Sequence, residues 1–124
     1  MNQIIAQADG LPTAGGIRSW HPNELDLRRI ERMLQKRARY LYVVPRVEMT
    51  ATGYLIQSPC CSRNIDAEGG IVDIALLEYH VELGVWKLFR KDHPEGGWEF
   101  FMLERSLQVL MDCINRDTAR LFWQ

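Results

Sequence analysis

Residues 71–102 read IVDIALLEYHVELGVWKLFRKDHPEGGWEFFM, and this stretch decides the fold class. Its apolar side chains recur with period two, the spacing that sends successive residues to opposite faces of a strand. Glu82-Leu83-Gly84 and His93-Pro94-Glu95-Gly96-Gly97 interrupt that rhythm with turn residues. The reading is three consecutive strands, Ile71–Val81, Val85–Lys91 and Trp98–Met102. The first half of Ile71–Val81 is apolar on both parities, with Val72, Ile74 and Leu76 on one and Ala75, Leu77, Tyr79 and Val81 on the other. That is the pattern of a central strand covered on both faces. A hairpin centred near Leu83 sets Tyr79 opposite Leu88, Val81 opposite Trp86 and His80 opposite Lys87.

Upstream, Val47–Thr50 and Tyr54–Gln57 are strand-like segments divided by Ala51-Thr52-Gly53, the outline of a tight hairpin. A loop from Ser58 to Gly70 follows, carrying Pro59, Cys60 and Cys61. Further upstream, His21-Pro22-Asn23-Glu24-Leu25-Asp26 supplies a proline, a capping asparagine and two acids ahead of a helical rhythm. Leu27, Ile30, Leu34, Ala38 and Leu41 form one apolar stripe, which predicts a helix over roughly residues 23–40. Downstream, Leu107, Leu110, Met111 and Ile114 predict a second helix over roughly residues 104–116, and Leu121-Phe122-Trp123 is apolar enough to pack back on the body. Residues 1–20 read as a flexible tail and 21–124 as a single domain. Consecutive strands flanked by helices argue α+β: a helix, a four-stranded antiparallel meander, and a C-terminal helix packed on one face of the sheet.

The chain has 124 residues, 47% apolar and 25% charged, with a formal net charge of −1. A domain of this size buries a core without disulfide staples, and three cysteines do not make a secreted scaffold. The N-terminal residues lack a signal-peptide pattern and no apolar run approaches a membrane span. A cytoplasmic location is expected. The near-zero net charge hides a polarity: residues 18–46 carry eight basic and three acidic groups, residues 47–124 seven and twelve.

Several segments together resemble a known family. Ala75-Leu76-Leu77-Glu78-Tyr79, Val85-Trp86-Lys87-Leu88-Phe89 and Gly97-Trp98-Glu99-Phe100-Phe101 are similar to a family of short bacterial proteins catalogued only as a domain of unknown function. Leu25-Asp26-Leu27-Arg28-Arg29-Ile30-Glu31 fits its opening, and Ile114-Asn115-Arg116-Asp117 with Leu121-Phe122-Trp123 fits its ending. Where that family commonly has an Arg-Pro segment followed by a tryptophan, this chain has Ser58-Pro59-Cys60-Cys61. The resemblance implies a single fold and supplies no catalytic residues.

Candidate sites are few. Tyr79, Trp86, Trp98 and Glu99 outline an aromatic ligand pocket, against the commoner reading of such residues as core. Arg28, Arg32, Lys36 and Arg39 step along one side of the first helix and form a basic face able to meet phosphates. Cys60 and Cys61 are candidate reactive thiols, but without a Cys-x-x-C pair they do not indicate zinc. His80 with Lys87 and Glu78 reads as a solvated sheet surface. Asp73 and Glu78, five apart on one strand, point to opposite faces and so do not form a metal pair. No catalytic residue, metal or cofactor is assigned, since nucleotide, serine-nucleophile and zinc-protease motifs have no counterpart in the sequence. The leading reading is a non-enzymatic interaction module with a protein partner or a second copy of itself. A small-molecule binding protein or enzyme with an aromatic pocket is the alternative. Nucleic-acid binding through the first helix ranks below both on the slightly acidic total charge.

Overall fold

The computed structural model describes residues 20–59 and 70–123. The expected N-terminal tail, apart from Trp20, and the thiols Cys60 and Cys61 lie outside these residues. The element order is α1 (Glu24–Met33), a 3-10 turn (Leu34–Lys36), β1 (Arg46–Met49), β2 (Gly53–Pro59), β3 (Ile71–His80), β4 (Val85–Asp92), β5 (Gly97–Glu104) and α2 (Leu107–Arg116). The strands make one sheet in the order β1-β2-β3-β4-β5, antiparallel at every step. The α+β meander is as expected, but with five strands rather than four. Both arms of the first hairpin pair as strands, with Val47 opposite Ile56 and Met49 opposite Tyr54. Thr50 closes their turn: its amide donates to the Gly53 carbonyl at 2.8 Å, and its Oγ1 accepts from the Gly53 amide at 2.9 Å.

The first helix is shorter than its stripe suggested. Asn23 caps it, accepting from the Asp26 amide at 2.8 Å and donating to the Asp26 carboxylate at 3.1 Å. Leu27, Ile30 and Leu34 are buried as expected, whereas Ala38 and Leu41 are exposed because the chain has left the helix by Arg37. The Arg37 guanidinium collects the carbonyls of Leu34, Tyr40 and Val43, and the Ala38 amide donates to the Asn115 carbonyl at 2.8 Å. These partners outweigh continued helical hydrogen bonding, and no propensity scale contains them.

The β3–β4 hairpin is displaced by two residues from the expected register. Tyr79 faces Trp86, Leu77 faces Leu88, and Lys87 faces Glu78 rather than His80. The turn takes in Val81 through Gly84, whose φ of 64° suits glycine and whose amide donates to the His80 carbonyl at 2.9 Å. β3 is the central strand, as predicted, but both helices lie on one side of it, and among the described residues no helix or strand packs on the other. A bulge against β2 carries the pairing from Ile56–Ala75 to Gln57–Asp73, so Ile74 and Ala75 both enter the core. The apolar residues on both parities record this bulge rather than a double cover. It also undoes the expected alternation, bringing Asp73 onto the same face as Leu76 and Glu78.

Both helices lie on one face of the sheet. Leu27, Ile30, Leu107, Leu110, Met111 and Ile114 meet Tyr54, Ile56, Leu77, Trp86 and Leu88 in a single core. Phe122 and Trp123 close it, and the Trp123 indole donates to the Ile114 carbonyl at 2.9 Å. The opposite face carries an apolar row running across four strands in register: Leu55, Leu76, Phe89 and Phe100.

Candidate functional site

A polar cluster sits where the start of α1 meets the sheet. Tyr54 projects from β2 into the core, so its hydroxyl needs partners there. It accepts from the Asn23 amide at 2.9 Å and lies 2.7 Å from His21 Nδ1. The hydroxyl that accepts from Asn23 keeps its own proton to donate, and Nδ1 accepts it in the tautomer that carries the imidazole N–H on Nε2. Nε2 lies 3.7 Å from the Asp26 carboxylate, whose other oxygen accepts from Arg29 at 2.6 Å. Tyr79 and Trp86 complete the cluster, with His21 tilted over Tyr79 at 4.4 Å between centroids and edge-on to Trp86 at 5.4 Å. Tyr79 and Trp86 are 5.1 Å apart, as their register requires.

Burial sets the protonation of this cluster. It pushes the Tyr54 hydroxyl up to about 12, so the phenol remains a neutral donor. It also lowers the His21 imidazole below its ordinary value, against the opposing pull of Asp26. The imidazole of His93 is lowered as well, again chiefly by burial and then by Lys91. The folded protein therefore binds fewer protons than the unfolded chain just below the ordinary value of 6.5. The resulting stability is complete above that value and is lost as pH falls through the folded-state values. The urea midpoint is expected to be lower below the ordinary value of 6.5 than above it, and His21→Gln should flatten the drop. An unchanged slope in that variant would remove His21 as the titrating group.

The cluster forms one wall of a cleft of about 770 Å³, flanked by the starts of α1 and α2. Leu25, Met33 and Leu107 add apolar surface, while Arg29, Arg105 and Gln108 supply polar groups. Toward the end of α1, a smaller cavity of about 230 Å³ shares Arg29, Met33 and Gln108 with it and adds Arg32 and Lys36. A third cavity, of about 550 Å³, lies by Cys113, whose thiol burial pushes up and away from the reactive thiolate.

Of the aromatic pocket expected from sequence, the structure brings together Tyr79 and Trp86 only. Trp98 lies on the opposite face under the Lys91 ammonium, 4.8 Å from the ring centroid, and Glu99 pairs with Arg90 at 2.6 Å. The expected basic face also divides. Arg28 is held by Glu24 and Glu31 at 2.8 and 2.9 Å. Arg39 lies beyond the helix and donates to the Asp117 carbonyl at 3.2 Å. Arg32 and Lys36 remain near each other at the smaller cavity. Sequence reasoning missed His21, Asp26, Arg29, Tyr54 and Arg105. The one available signal was a tyrosine at an inward strand position, which needs a polar partner.

Among the described residues, no group of three or more His, Cys, Asp or Glu is arranged to hold a metal ion. No described helix is long and apolar enough to cross a membrane. Neither the curated proteins nor the solved structures contain a match to this chain. The model of one family covers residues 17–124, which include α1, the whole sheet, α2 and the aromatic terminus. The chain therefore belongs to the family described as a domain of unknown function, DUF3024.

Proposed function

We propose that this protein is a non-enzymatic interaction module that pairs with a second copy of itself through the sheet face turned away from the helices. The apolar row Leu55–Leu76–Phe89–Phe100 carries the proposal. Phe100 is 58% exposed and meets Phe89 edge-on, with centroids 5.8 Å apart. Leu103, 45% exposed, extends the patch opposite Lys87. A contiguous apolar row rimmed by polar groups is the usual mark of an interaction surface.

Charge favours a copy of the same chain over a strongly charged partner. The face carries Arg46, Lys87 and Lys91 against Glu48, Asp73 and Glu78. Arg46 pairs with Glu48 at 3.1 Å and Lys91 with Asp73 at 3.2 Å, while Lys87 sits opposite Glu78. Such a face is neutral and does not repel itself. Five strands about 4.8 Å apart and about 25 Å long on average present roughly 600 Å² in projection. That is commensurate with the ~800 Å² of accessible surface per partner of a standard interface. Two sheets stacked across a two-fold axis would bury both rows against each other.

Light scattering at high micromolar concentration is expected to give the mass of two chains, unchanged between low and high salt because the contact is apolar. Phe100→Glu should return the mass of one chain with an unaltered circular dichroism spectrum. A wild-type monomer at every concentration sinks the reading. A dimer that dissociates with salt points instead to pairing between the basic and acidic segments.

A further inference from the structure

The cleft beside His21 and the smaller cavity next to it adjoin along shared lining residues, and side by side they present two chemically distinct ends. One end is walled by the Tyr79 and Trp86 rings. It also carries Leu25, which is 73% exposed although its neighbour Leu27 is buried, so its apolar surface faces the groove rather than the core. The other end carries Arg32 and Lys36. Arg29, Met33 and Gln108 belong to both.

The charges along the groove do not balance. Arg29 is matched by Asp26 at 2.6 Å. Among the described residues, Arg32, Lys36 and Arg105 have no hydrogen bond or ion pair. The acids nearest in sequence are engaged elsewhere, Glu31 with Arg28 and Asp112 with Gln108. Arg32, Lys36 and Arg105 are exposed and, among the described residues, without a protein partner, so a ligand with more than one negative charge meets complementary charge there. The aromatic end calls for a flat ring. The α-helix rises about 1.5 Å per residue and the 3-10 turn after it about 2.0 Å, so the distance from the Asp26 level to Arg32 and Lys36 is about 9–17 Å, the span of a ring joined to a short phosphate chain. The larger cavity alone, at about 770 Å³, lies within the ordinary range for a small-molecule site.

We propose that this groove binds a nucleoside diphosphate, with the base against Tyr79, Trp86 and Leu25 and the phosphates at Arg32 and Lys36. Arg105 sits at the rim near the base end, where its guanidinium adds to the positive field and stacks on a planar ring. The lining side chains His21, Tyr79 and Trp86 are preorganised: they hold one another by ring contacts and are backed by the buried Tyr54, so little order is left to impose on binding. Self-association through the opposite sheet face neither requires nor blocks this site.

The test uses the full chain with ADP, GDP and CDP as probes, and with adenosine and inorganic pyrophosphate as half-ligands. At least one diphosphate is expected to raise the melting temperature and to shift the NMR signals of the Trp86 indole, Arg32 and Gln108 together. Each half-ligand should bind more weakly and shift only its own end. Arg32→Ala with Lys36→Ala is expected to weaken the diphosphate at least tenfold while leaving the unliganded melting temperature in place, since both side chains are exposed. Three results overturn the proposal: no shift with any diphosphate, pyrophosphate binding as tightly as the diphosphates with Trp86 unmoved, or undiminished binding in the double variant.

Discussion

Gly53→Ala is expected to lose about 3 kcal/mol or more of folding stability, a large part of what a domain of this size possesses. A methyl group at Gly53 would land on the carbonyl oxygen of Leu77 and lie 2.9 Å from Glu78 Cγ. The obstruction is chiefly backbone, so no rotamer change relieves it. The alternatives are to part β2 from β3 at the pair Gly53–Glu78 or to distort the Thr50 turn that precedes it. Either route weakens the strand that presents Tyr54 to His21. Gly97→Ala is the control: a methyl group there meets nothing within 4 Å, and its effect should stay within about 0.5 kcal/mol. Urea unfolding of the two variants measures the difference, and equal midpoints would show that the β2–β3 approach is looser than this geometry requires.

The second large effect is expected at Asp117. This residue ends α2 in the left-handed region, with φ of 40°. Its carboxylate accepts from the amides of Leu121 at 2.8 Å, Phe122 at 3.1 Å and Trp123 at 2.7 Å. Those amides lead Phe122 and Trp123 into the core, where each is 1% exposed. Asp117→Ala removes the acceptor for all three amides and places a β-carbon residue in a conformation that aspartate and asparagine tolerate better. Unmet buried amides weigh more than the hydrogen bonds themselves, so a loss of about 3–5 kcal/mol is expected. Asp117→Asn keeps one carbonyl oxygen and the backbone preference, and should lose about half as much. The measurement is thermal unfolding followed by tryptophan fluorescence. In the alanine variant a red-shifted emission before the main transition would report release of Trp123. Coincident, unshifted curves for both variants would mean that the terminus is held by its apolar contacts alone.

The functional readings rest on different kinds of legibility. The sheet-face row was partly visible, since Leu76, Phe89 and Phe100 stand at alternating strand positions. Their meeting in one row depends on the register of two hairpins, and one of those was offset from the sequence reading. The groove was less visible. Arg32 and Lys36 belong to the same periodic row as Arg28 and Arg39, but the latter two are taken up by Glu24, Glu31 and the Asp117 carbonyl. His21 and Tyr54 are 33 residues apart, and nothing local in either segment predicts their contact.

Periodicity and turn residues were sufficient to determine the α+β class, the consecutive antiparallel strands, the capped start of α1, the stripe of α2 and the burial of Phe122 and Trp123. These depend on contacts within a few residues and on which side chains avoid water, both of which are written locally. Tertiary structure alone decided where α1 stops, since its end is set by Arg37 and Asn115, and where the β3 bulge falls, since Ile74 and Ala75 share the core only when β2 and both helices are in place. It also decided that Tyr79 and Trp86 line a groove while Trp98 faces the other way. A side chain's face follows from local alternation, but its partners follow from register and packing, which are properties of the whole chain.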